Sequence, residues 1–528
     1  MSKLEFNVIS DIHYYAKSVG VSGPEFDRAN SSSPMELRHN EEILNALVDR
    51  LIEDETKIVL VSGDTTHEGE PDSHAGCVKL LKRLQDAGKD VYVITATHDF
   101  QDDGLCWRYT ENGREKMPAT DRSELMGIYH DFGFRQALSV HEKSQSYVAQ
   151  LAPGFRLFAI NDDHNDEGAS GIATNTMAWI DEQLEDARAN GQKVVCMTHH
   201  PMISPSPMYS LIGAGDMMHE HVPIRNKFAD SGVRFFFTGH THIQDISYIY
   251  SENGNIFYDI TTPAPAGYPA TYRHAVYDSV ANTLDVKAVR LERDPGFDTG
   301  GKPLEEYLRQ KFFGMIGDMV GYAATDIHMF AKMANGISIR PWTTYRFAWI
   351  IKPIAKILNK LKVSTAAKLC RRETGLKKAD YADVADKRVV DVIVELAQNL
   401  YGGDGCYTPD TSIYKITMGV CGVIDSIIRT LGIKLNKLLK GTSSVSDLIR
   451  PLLYNDGICD EAAVLDLDAK AQIKTAQYED TVRKSRKGPA IIIIGALLII
   501  ALLPLELITV AAAYVVNKIR YGKLMKKN

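Results

Sequence analysis

Short apolar runs rich in β-favouring residues recur along the first 300 residues and are separated by segments with helical periodicity. The strand-like runs are 6–10, 57–62, 91–95, 156–160, 193–198 and 234–238. Apolar side chains three or four positions apart predict amphipathic helices at 40–53, 73–87 and 175–189. Strands that alternate with helices predict a sheet covered by helices. Alternating runs on either side of Asn253-Gly254 predict a hairpin within 244–292.

The hydrophobic pattern changes after the Asp-Pro-Gly sequence at 294–296. From 303 to 480 it is mostly helical, and no fixed repeat is present. We therefore predict three parts, which are an α/β domain at 1–299, an all-α domain at 300–480 and a tail at 481–528.

A long apolar run, 489–516, dominates the tail, and its single charged residue is Glu506. About 20 apolar residues suffice to cross a bilayer, so the run predicts association with a membrane. Basic residues flank the run on both sides and leave its orientation open. Pro504 divides it, so a single span and a re-entrant hairpin are both compatible with the sequence, as is a hairpin buried in the helical domain.

Composition narrows the class of protein. The chain has 528 residues, 45% of them hydrophobic and 24% charged, which excludes a disordered or fibrous protein. A net charge of −7 argues against a nucleic-acid partner. Seven cysteines without a CxxC pair, and no secretory signal, predict a cytoplasmic catalytic domain, which the apolar run 489–516 would associate with the membrane through the C-terminus. Residues 340–378 carry eleven basic residues and one acid, which indicates a solvated helical face or one that contacts anionic lipid.

Side chains of the kind that bind metals follow five of the predicted strands. They are Asp11 and His13, Asp64, His98 and Asp99, His199 and His200, and His240 and His242. Because α/β sheets bind ligands at the carboxyl ends of their strands, we expect these groups to share one site. Mixed imidazole and carboxylate ligands favour Mn, Fe, Zn or Co, and their number suffices for two divalent or trivalent ions. We expect His200 and residues 161–164 to neighbour the site rather than to bind metal.

In this order the motifs DIH, GD, THD, HHP and GHTH resemble the calcineurin-like metallophosphoesterase family over about residues 6–245. The resemblance implies a two-sheet sandwich flanked by helices and hydrolysis of a phosphoester by a metal-activated hydroxide. It implies one ion held by Asp11, His13, Asp64 and His242, and a second held by Asp64, His199 and His240. It also implies that His98 steadies the phosphate or protonates the leaving oxygen, and that Asp99 orients and charge-stabilises His98.

The sequence departs from the family pattern at Thr97. The family has an asparagine ligand of the second metal at this position, and the glycine before it is Ala96 here. Because a threonine hydroxyl is shorter and a poorer donor than an amide oxygen, we expect the second ion to bind more weakly or to take a water in its place.

The segments GDTTHEGE, from Gly63, and 260–273 resemble the cyclic-nucleotide phosphodiesterase branch of the family. This resemblance implies a small phosphodiester substrate, with Tyr268 and Tyr272 stacking on a base and Arg273 meeting phosphate, unless all three pack in the core. Two alternatives remain. One is a hydrolase of a lipid-linked phosphoester or pyrophosphate at the membrane, and the other is a degenerate scaffold that binds a partner without turnover.

Overall fold

The computed structural model describes residues 2–206, 215–335, 341–405, 407–430, 435, 444–455 and 457–471. The apolar run 489–516 and its basic flanks lie outside these residues, as does Arg340. Within the described part of the chain, no helix combines the length and the apolar character needed to span a bilayer.

The strands follow the predicted positions through the first 290 residues and include several that the hydrophobic pattern did not single out. They are β1 (Lys3–Ile9), β2 (Ile58–Ser62), β3 (Asp90–Ile94), β4 (Leu105–Thr110), β5 (Gly113–Pro118), β6 (Ala137–His141), β7 (Ser146–Ala152), β8 (Phe155–Ala159), β9 (Lys193–Met197), β10 (Phe235–Thr238), β11 (Asp245–Tyr250), β12 (Ile256–Thr261), β13 (Thr271–Asp278), β14 (Thr283–Arg290) and β15 (Ala462–Asp466). The predicted hairpin is formed by β11 and β12, which pair antiparallel on either side of Asn253-Gly254.

The helices fall into two groups, one between the strands and one after β14. The first group is α1 (Pro24–Ser32), α2 (Asn40–Glu53), α3 (Pro71–Asp86), α4 (Arg122–Ile128), α5 (Thr174–Ala189) and α6 (His221–Asp230). The second group is α7 (Leu304–Thr325), α8 (Ile327–Asn335), α9 (Pro341–Leu358), α10 (Val363–Leu369), α11 (Arg371–Thr374), α12 (Val389–Gly402), α13 (Ser412–Thr430) and α14 (Val445–Leu453).

Two sheets pack face to face and helices cover their outer faces, as the sequence predicts. The first sheet has the order β15-β14-β13-β1-β2-β3, and the second has the order β11-β12-β10-β9-β8-β7-β6. Between them lies a core that contains Phe6, Leu60, Phe237 and Tyr258, all buried. Helices α2 and α3 pack on the first sheet, and α5 and α6 pack on the second. Burial of apolar side chains on both faces of each sheet is the main favourable term in such a layered fold.

Parallel pairing determines where the ends of the central strands lie. Strands β1, β2 and β3 are parallel in the first sheet, and β8, β9, β10 and β12 are parallel in the second. The residues that follow β1, β2, β3, β9 and β10 therefore emerge at the same edge of the sandwich. All the predicted metal ligands belong to these five segments.

The C-terminal part differs from the prediction of an all-α domain at 300–480. Strand β15 pairs antiparallel with β14, with Val286 opposite Ala463, and so extends the first sheet. The helices α7–α14 are therefore an insertion between two neighbouring strands of the sandwich. The pattern at 462–466 does not predict this strand because the run is short and its apolar residues do not alternate with polar ones, although only one face is buried, Leu465 being 2% exposed and Val464 68% exposed.

We expect Leu465→Ala to destabilise the sandwich by about 2–5 kcal/mol, because it removes a side chain from the core between the sheets. The adjacent Val464→Ala is the matched control and should change the free energy of unfolding by less than about 0.5 kcal/mol. Denaturant unfolding followed by circular dichroism measures both. Equal effects of the two substitutions would show that β15 is not part of the sandwich.

Candidate metal centre

Six of the predicted ligands converge at the edge of the sandwich. Their side-chain atoms form two groups, in each of which all ligand atoms lie within 4.8 Å of one another. The first group is Asp11, His13 and His242, and the second is Asp64, His199 and His240. The loops after β1 and β10 supply the first group, and the loops after β2, β9 and β10 supply the second.

Asp64 lies between the two groups. In the first group, His242 Nε2 lies 3.1 Å from His13 Nε2 and 3.3 Å from Asp11 Oδ1. Asp64 Oδ2 is 2.9 Å from His199 Nε2 and 3.6 Å from His13 Nε2. One carboxylate oxygen is thus within reach of both groups, which is the position of a ligand shared by two ions.

The chemistry of these residues fits a pair of cations. Asp64 Oδ2 and His199 Nε2 are buried and lie 2.9 Å apart, and the buried His240 Nδ1 makes no hydrogen bond in the described structure. Within that structure no Lys or Arg forms an ion pair with Asp11 or Asp64, so their negative charge is balanced only by imidazole rings. Buried carboxylates without a compensating charge are costly, and metal ions at this position would compensate them.

The electrostatics of the site agree with this interpretation. Burial favours the neutral form of Asp64, but the surrounding histidines, His199 foremost, together outweigh burial and hold the pKa of Asp64 well below its ordinary value. Burial also lowers the pKa of His240 well below its ordinary value. Burial would lower the pKa of His199, yet the neighbouring Asp64 carboxylate raises it to about 10. The raised pKa of His199 means that this ring holds a proton beside Asp64, where a metal cation could balance the carboxylates instead.

Strained backbone accompanies the ligand residues. Asp11, His13, Asp64, His240 and His242 all have φ between 42° and 64°, in the left-handed region that residues other than glycine rarely adopt. Hydrogen bonds hold these turns in place. The His13 N–H donates to Asp64 O at 2.9 Å, and the His240 N–H donates to Asp11 Oδ1 at 3.0 Å. Such strain costs about 1–3 kcal/mol per residue and concentrates at functional sites.

Asp162 supports the second group without reaching the centre of the site. Its buried carboxylate accepts hydrogen bonds from the His199 and His200 backbone N–H groups, at 3.3 and 3.0 Å, and lies 3.1 Å from His200 Nδ1. His199 Nδ1 lies 2.8 Å from Ser62 O, which orients the ring and leaves Nε2 towards Asp64. Both His200 and the 161–164 segment therefore lie beside the ligands, as expected.

His98 lies at the exposed rim of this site. Its ring centroid is 4.9 Å from that of His13, and its backbone N–H donates to Asp64 Oδ1 at 2.9 Å. His98 Nδ1 lies 2.8 Å from His67 O, so this carbonyl orients the imidazole and leaves Nε2 for a ligand. Sequence reasoning missed the role of His67, because a backbone carbonyl leaves no signal in the residue type.

The structure corrects the way in which Asp99 orients His98. Its carboxylate accepts hydrogen bonds from Thr65 Oγ1 at 2.6 Å, Thr66 N–H at 2.8 Å and Ala96 N–H at 2.8 Å, rather than from the His98 ring. Asp99 therefore joins the loops after β2 and β3 and positions His98 through the backbone. Thr97, the residue in place of the family asparagine, is half-buried in the same loop.

The structure also corrects the proposed substrate contacts of Tyr272 and Arg273. Both side chains are fully buried. Arg273 donates to backbone carbonyls, among them Thr261 O at 3.0 Å, and Tyr272 packs in the core beneath α2. Tyr268 is half-buried, with its ring centroid 6.1 Å from that of Phe312. The packing alternative is therefore correct for Tyr272 and Arg273, because β13 is an interior strand whose side chains point into the cores.

Comparison with known proteins identifies the class of the sandwich. Residues 4–244 match the calcineurin-like phosphoesterase family, and this part of the chain belongs to that family. The chain is accordingly a metal-dependent phosphoester hydrolase. No curated protein matches the chain.

Several solved structures are similar over about half of the chain. A dimetal phosphatase from Danio rerio is 14% identical, with 55% of this chain and 96% of that chain covered and a TM-score of 0.38. A purple acid phosphatase from yellow lupin, Lupinus luteus, is 12% identical, with 55% and 52% covered and a TM-score of 0.36. The NAD nucleotidase of Haemophilus influenzae is 12% identical, with 55% and 49% covered and a TM-score of 0.29. These scores are too low to support an argument about substrate.

The geometry predicts how many metal ions each variant retains. We expect His242→Ala and His240→Ala each to keep one tightly bound Mn²⁺, since each substitution breaks one group. We expect Asp64→Ala to keep none, because this carboxylate belongs to the second group and its Oδ2 also lies 3.6 Å from His13 Nε2 of the first group. Equilibrium dialysis with elemental analysis measures the number of bound ions, with His130→Ala in an exposed turn as the control that keeps two. Two tightly bound ions in Asp64→Ala would contradict the shared position.

Proposed function

We propose that the chain is a dinuclear-metal phosphodiesterase that hydrolyses a small phosphodiester, with a cyclic nucleotide as the first candidate. The observation that carries this proposal is the Asp64 carboxylate between two groups of buried ligands, in a domain of the calcineurin-like phosphoesterase family. Asp11, His13, Asp64 and His242 would hold one ion. Asp64, His199 and His240 would hold the other, with Thr97 replacing the usual asparagine.

Two ions of Mn, Fe, Zn or Co, when bound, supply positive charge to the phosphoryl oxygens and lower the pKa of a coordinated water. The chain itself supplies the geometry. Asp162 and Ser62 O orient His199, and the tight turns at Asp11 and His240 hold their side chains toward the centre. Because most of the ligand side chains are buried, little bulk water screens the charges that act on the substrate.

His98 is the group best placed to donate a proton to the leaving oxygen. It lies at the rim beside His13, so a phosphoester at the two ligand groups would have its outer oxygens on the His98 side. The His67 carbonyl accepts from Nδ1 and leaves Nε2 as the atom that meets the substrate. Departure of an alkoxide is assisted by such a general acid, typically by a factor of about 10²–10⁴.

The preference for a diester is supported by the GDTTHEGE segment, whose sequence resembles the cyclic-nucleotide phosphodiesterase branch. In the structure this segment provides both Asp64 and the carbonyl that orients His98. The second segment of that resemblance, 260–273, contributes to packing through Tyr272 and Arg273 and gives no support to base recognition.

Activity assays with Mn²⁺ test this function. We expect the protein to hydrolyse bis-p-nitrophenyl phosphate and cyclic nucleotides faster than p-nitrophenyl phosphate, and His98→Ala to lower kcat about 10²–10⁴-fold. His130→Ala, another exposed histidine, should leave kcat unchanged.

The other outcomes separate the competing functions. Faster hydrolysis of the monoester would overturn the phosphodiesterase assignment. Turnover confined to lipid-linked phosphoesters or pyrophosphates in detergent would identify the membrane hydrolase. Two bound ions with no turnover of any of these substrates would identify the scaffold.

We also propose that the protein associates with a membrane through 489–516, with its catalytic domain in the cytoplasm. Support comes from the helices α8–α11. Residues 327–374 contain ten Lys or Arg and one acid, Glu373, and Lys332, Arg346, Lys356 and Lys360 are exposed. Trp342 and Trp349 are half-buried on α9. Basic residues interspersed with aromatic ones suit an anionic bilayer surface, and this favours the lipid-linked substrate as the second candidate.

Binding of the full-length protein to vesicles tests the basic surface. The triple variant Lys352→Gln, Lys356→Gln and Lys360→Gln should bind vesicles containing phosphatidylserine about 100-fold more weakly, since each basic residue near the surface contributes about 1 kcal/mol. The matched control is Lys57→Gln, Lys79→Gln and Lys82→Gln on the sandwich, which should leave binding unchanged. Equal binding of all three proteins in a co-sedimentation assay would contradict a role for α9 at the membrane.

A further inference from the structure

The two residues after His242 are buried against the end of α12. Ile243 is fully buried and packs against Leu400 and Tyr401. Gln244 is also fully buried, and its backbone N–H donates to Tyr401 O at 3.0 Å. The side chain of Gln244 donates through Nε2 to Gly402 O at 3.1 Å and accepts from Thr271 Oγ1 at 2.7 Å. One side chain thus joins the loop after His242, the inserted helices and strand β13. We call Ile243, Gln244, Tyr401 and Gly402 the helix latch.

The backbones approach very closely at this point. A Cβ atom on Gly403 would lie 2.8 Å from Gln244 O and 2.8 Å from the Cβ of Asp460, and Gly403 has a φ of 79°. No other residue type fits here without a shift of backbone. The contact between the helices and the loop is therefore a specific feature of the fold and not a loose surface contact.

Asp460 makes a second connection between the inserted segment and the chain that follows Gln244. The Asp460 carboxylate accepts from the backbone N–H of Ile246 at 2.7 Å and from that of Asp404 at 2.9 Å. The Asp404 carboxylate in turn accepts from the Asp460 N–H at 2.7 Å. The end of α12, at 401–404, and the segment after α14, at 460, therefore both bind the chain at 244–246.

The loop that carries His240 and His242 needs such support. Both residues have left-handed φ values, 64° and 56°. On its N-terminal side, the loop is held by Gly239 N–H, which donates to His199 O at 2.9 Å, and by the His240 N–H bond to Asp11. On its C-terminal side, the described hydrogen bonds of Gln244 go to α12 and β13. The helical insertion thus holds the end of the loop next to His242.

We propose that Gln244 is a positioning residue through which the inserted helices set the metal affinity of the group Asp11, His13 and His242. This inference rests on the proposed function, because it takes these residues as metal ligands. Its physical basis is that a ligand held in a strained turn binds metal tightly only while its supports keep it in place. Loss of such a support typically costs about 10–100-fold in metal affinity or activity.

The test compares two substitutions of buried glutamines by a side chain of similar volume that cannot make these hydrogen bonds. Gln244→Met removes both side-chain hydrogen bonds of Gln244, the one to Gly402 O and the one from Thr271 Oγ1. Gln398→Met is the matched control, because Gln398 lies on α12, the helix that Gln244 contacts. Gln398 is 5% exposed, and its Nε2 donates to Arg309 O at 3.3 Å, within the helical insertion. Calorimetric titration of the full-length protein with Mn²⁺ alone measures the affinity of each site.

We expect Gln244→Met to weaken one of the two Mn²⁺ sites about tenfold or more, with kcat recovering at saturating Mn²⁺. Gln398→Met should keep both affinities, even where it lowers the melting temperature as much as Gln244→Met does. Thr271→Val removes only the hydrogen bond from Thr271 Oγ1 to Gln244 and should weaken the Mn²⁺ site affected by Gln244→Met by a smaller factor. This variant provides the test if Gln244→Met does not fold.

Two results would overturn the proposal. One is an unchanged affinity in Gln244→Met, and the other is an equal loss of affinity in Gln398→Met. Binding of Mn²⁺ is measured without a substrate. An inactive protein that binds two ions would therefore refute the proposed reaction, while the Mn²⁺ affinities of Gln244→Met and Gln398→Met would still test this inference. A wild-type protein that binds no Mn²⁺ would refute both.

Discussion

Two carboxylates, Asp11 and Asp64, are buried at one edge of a sandwich among imidazole rings, and the arrangement around them follows from the need to compensate their charge. In the described structure, no Lys or Arg pairs with these carboxylates. A metal ion can balance their charge, and histidine side chains are suitable ligands for it. The strained turns that present the ligands are tolerated because hydrogen bonds from neighbouring loops hold them. The stability of the sandwich is therefore used to maintain a site that is unfavourable by itself.

The supports of the site come from three separate parts of the chain. Asp162 orients the His199 segment, Asp99 joins the loops after β2 and β3, and Gln244 connects the His242 loop to α12. None of the three belongs to the two ligand groups. Strand β15 returns to the first sheet after α14, so the helices are connected to the sandwich at both ends. This explains how an insertion of 171 residues, 291–461, reaches the loop after His242.

Much of the site could be predicted because the sheet geometry converts sequence position into spatial position. Residues that follow parallel strands meet at one edge, so Asp11, Asp64, His199 and His242 could be placed together from the pattern alone. The direction of individual side chains could not be predicted in the same way. Asp99 bonds to Thr65 and not to the His98 ring, and only the burial of Arg273 decides between the substrate contact and the packing role that the sequence left open.

The sequence by itself determined the layered α/β architecture, the edge of the sheets that carries chemistry and the identity of the metal-type ligands, because each of these depends on local periodicity and on residue type. Only the tertiary structure decided that β15 joins the first sheet, that the His67 carbonyl orients His98 and that Gln244 bonds to Gly402. These three features depend on edge pairing and on backbone carbonyls, and they join residues between 31 and 183 positions apart. A local sequence pattern carries no information about such contacts.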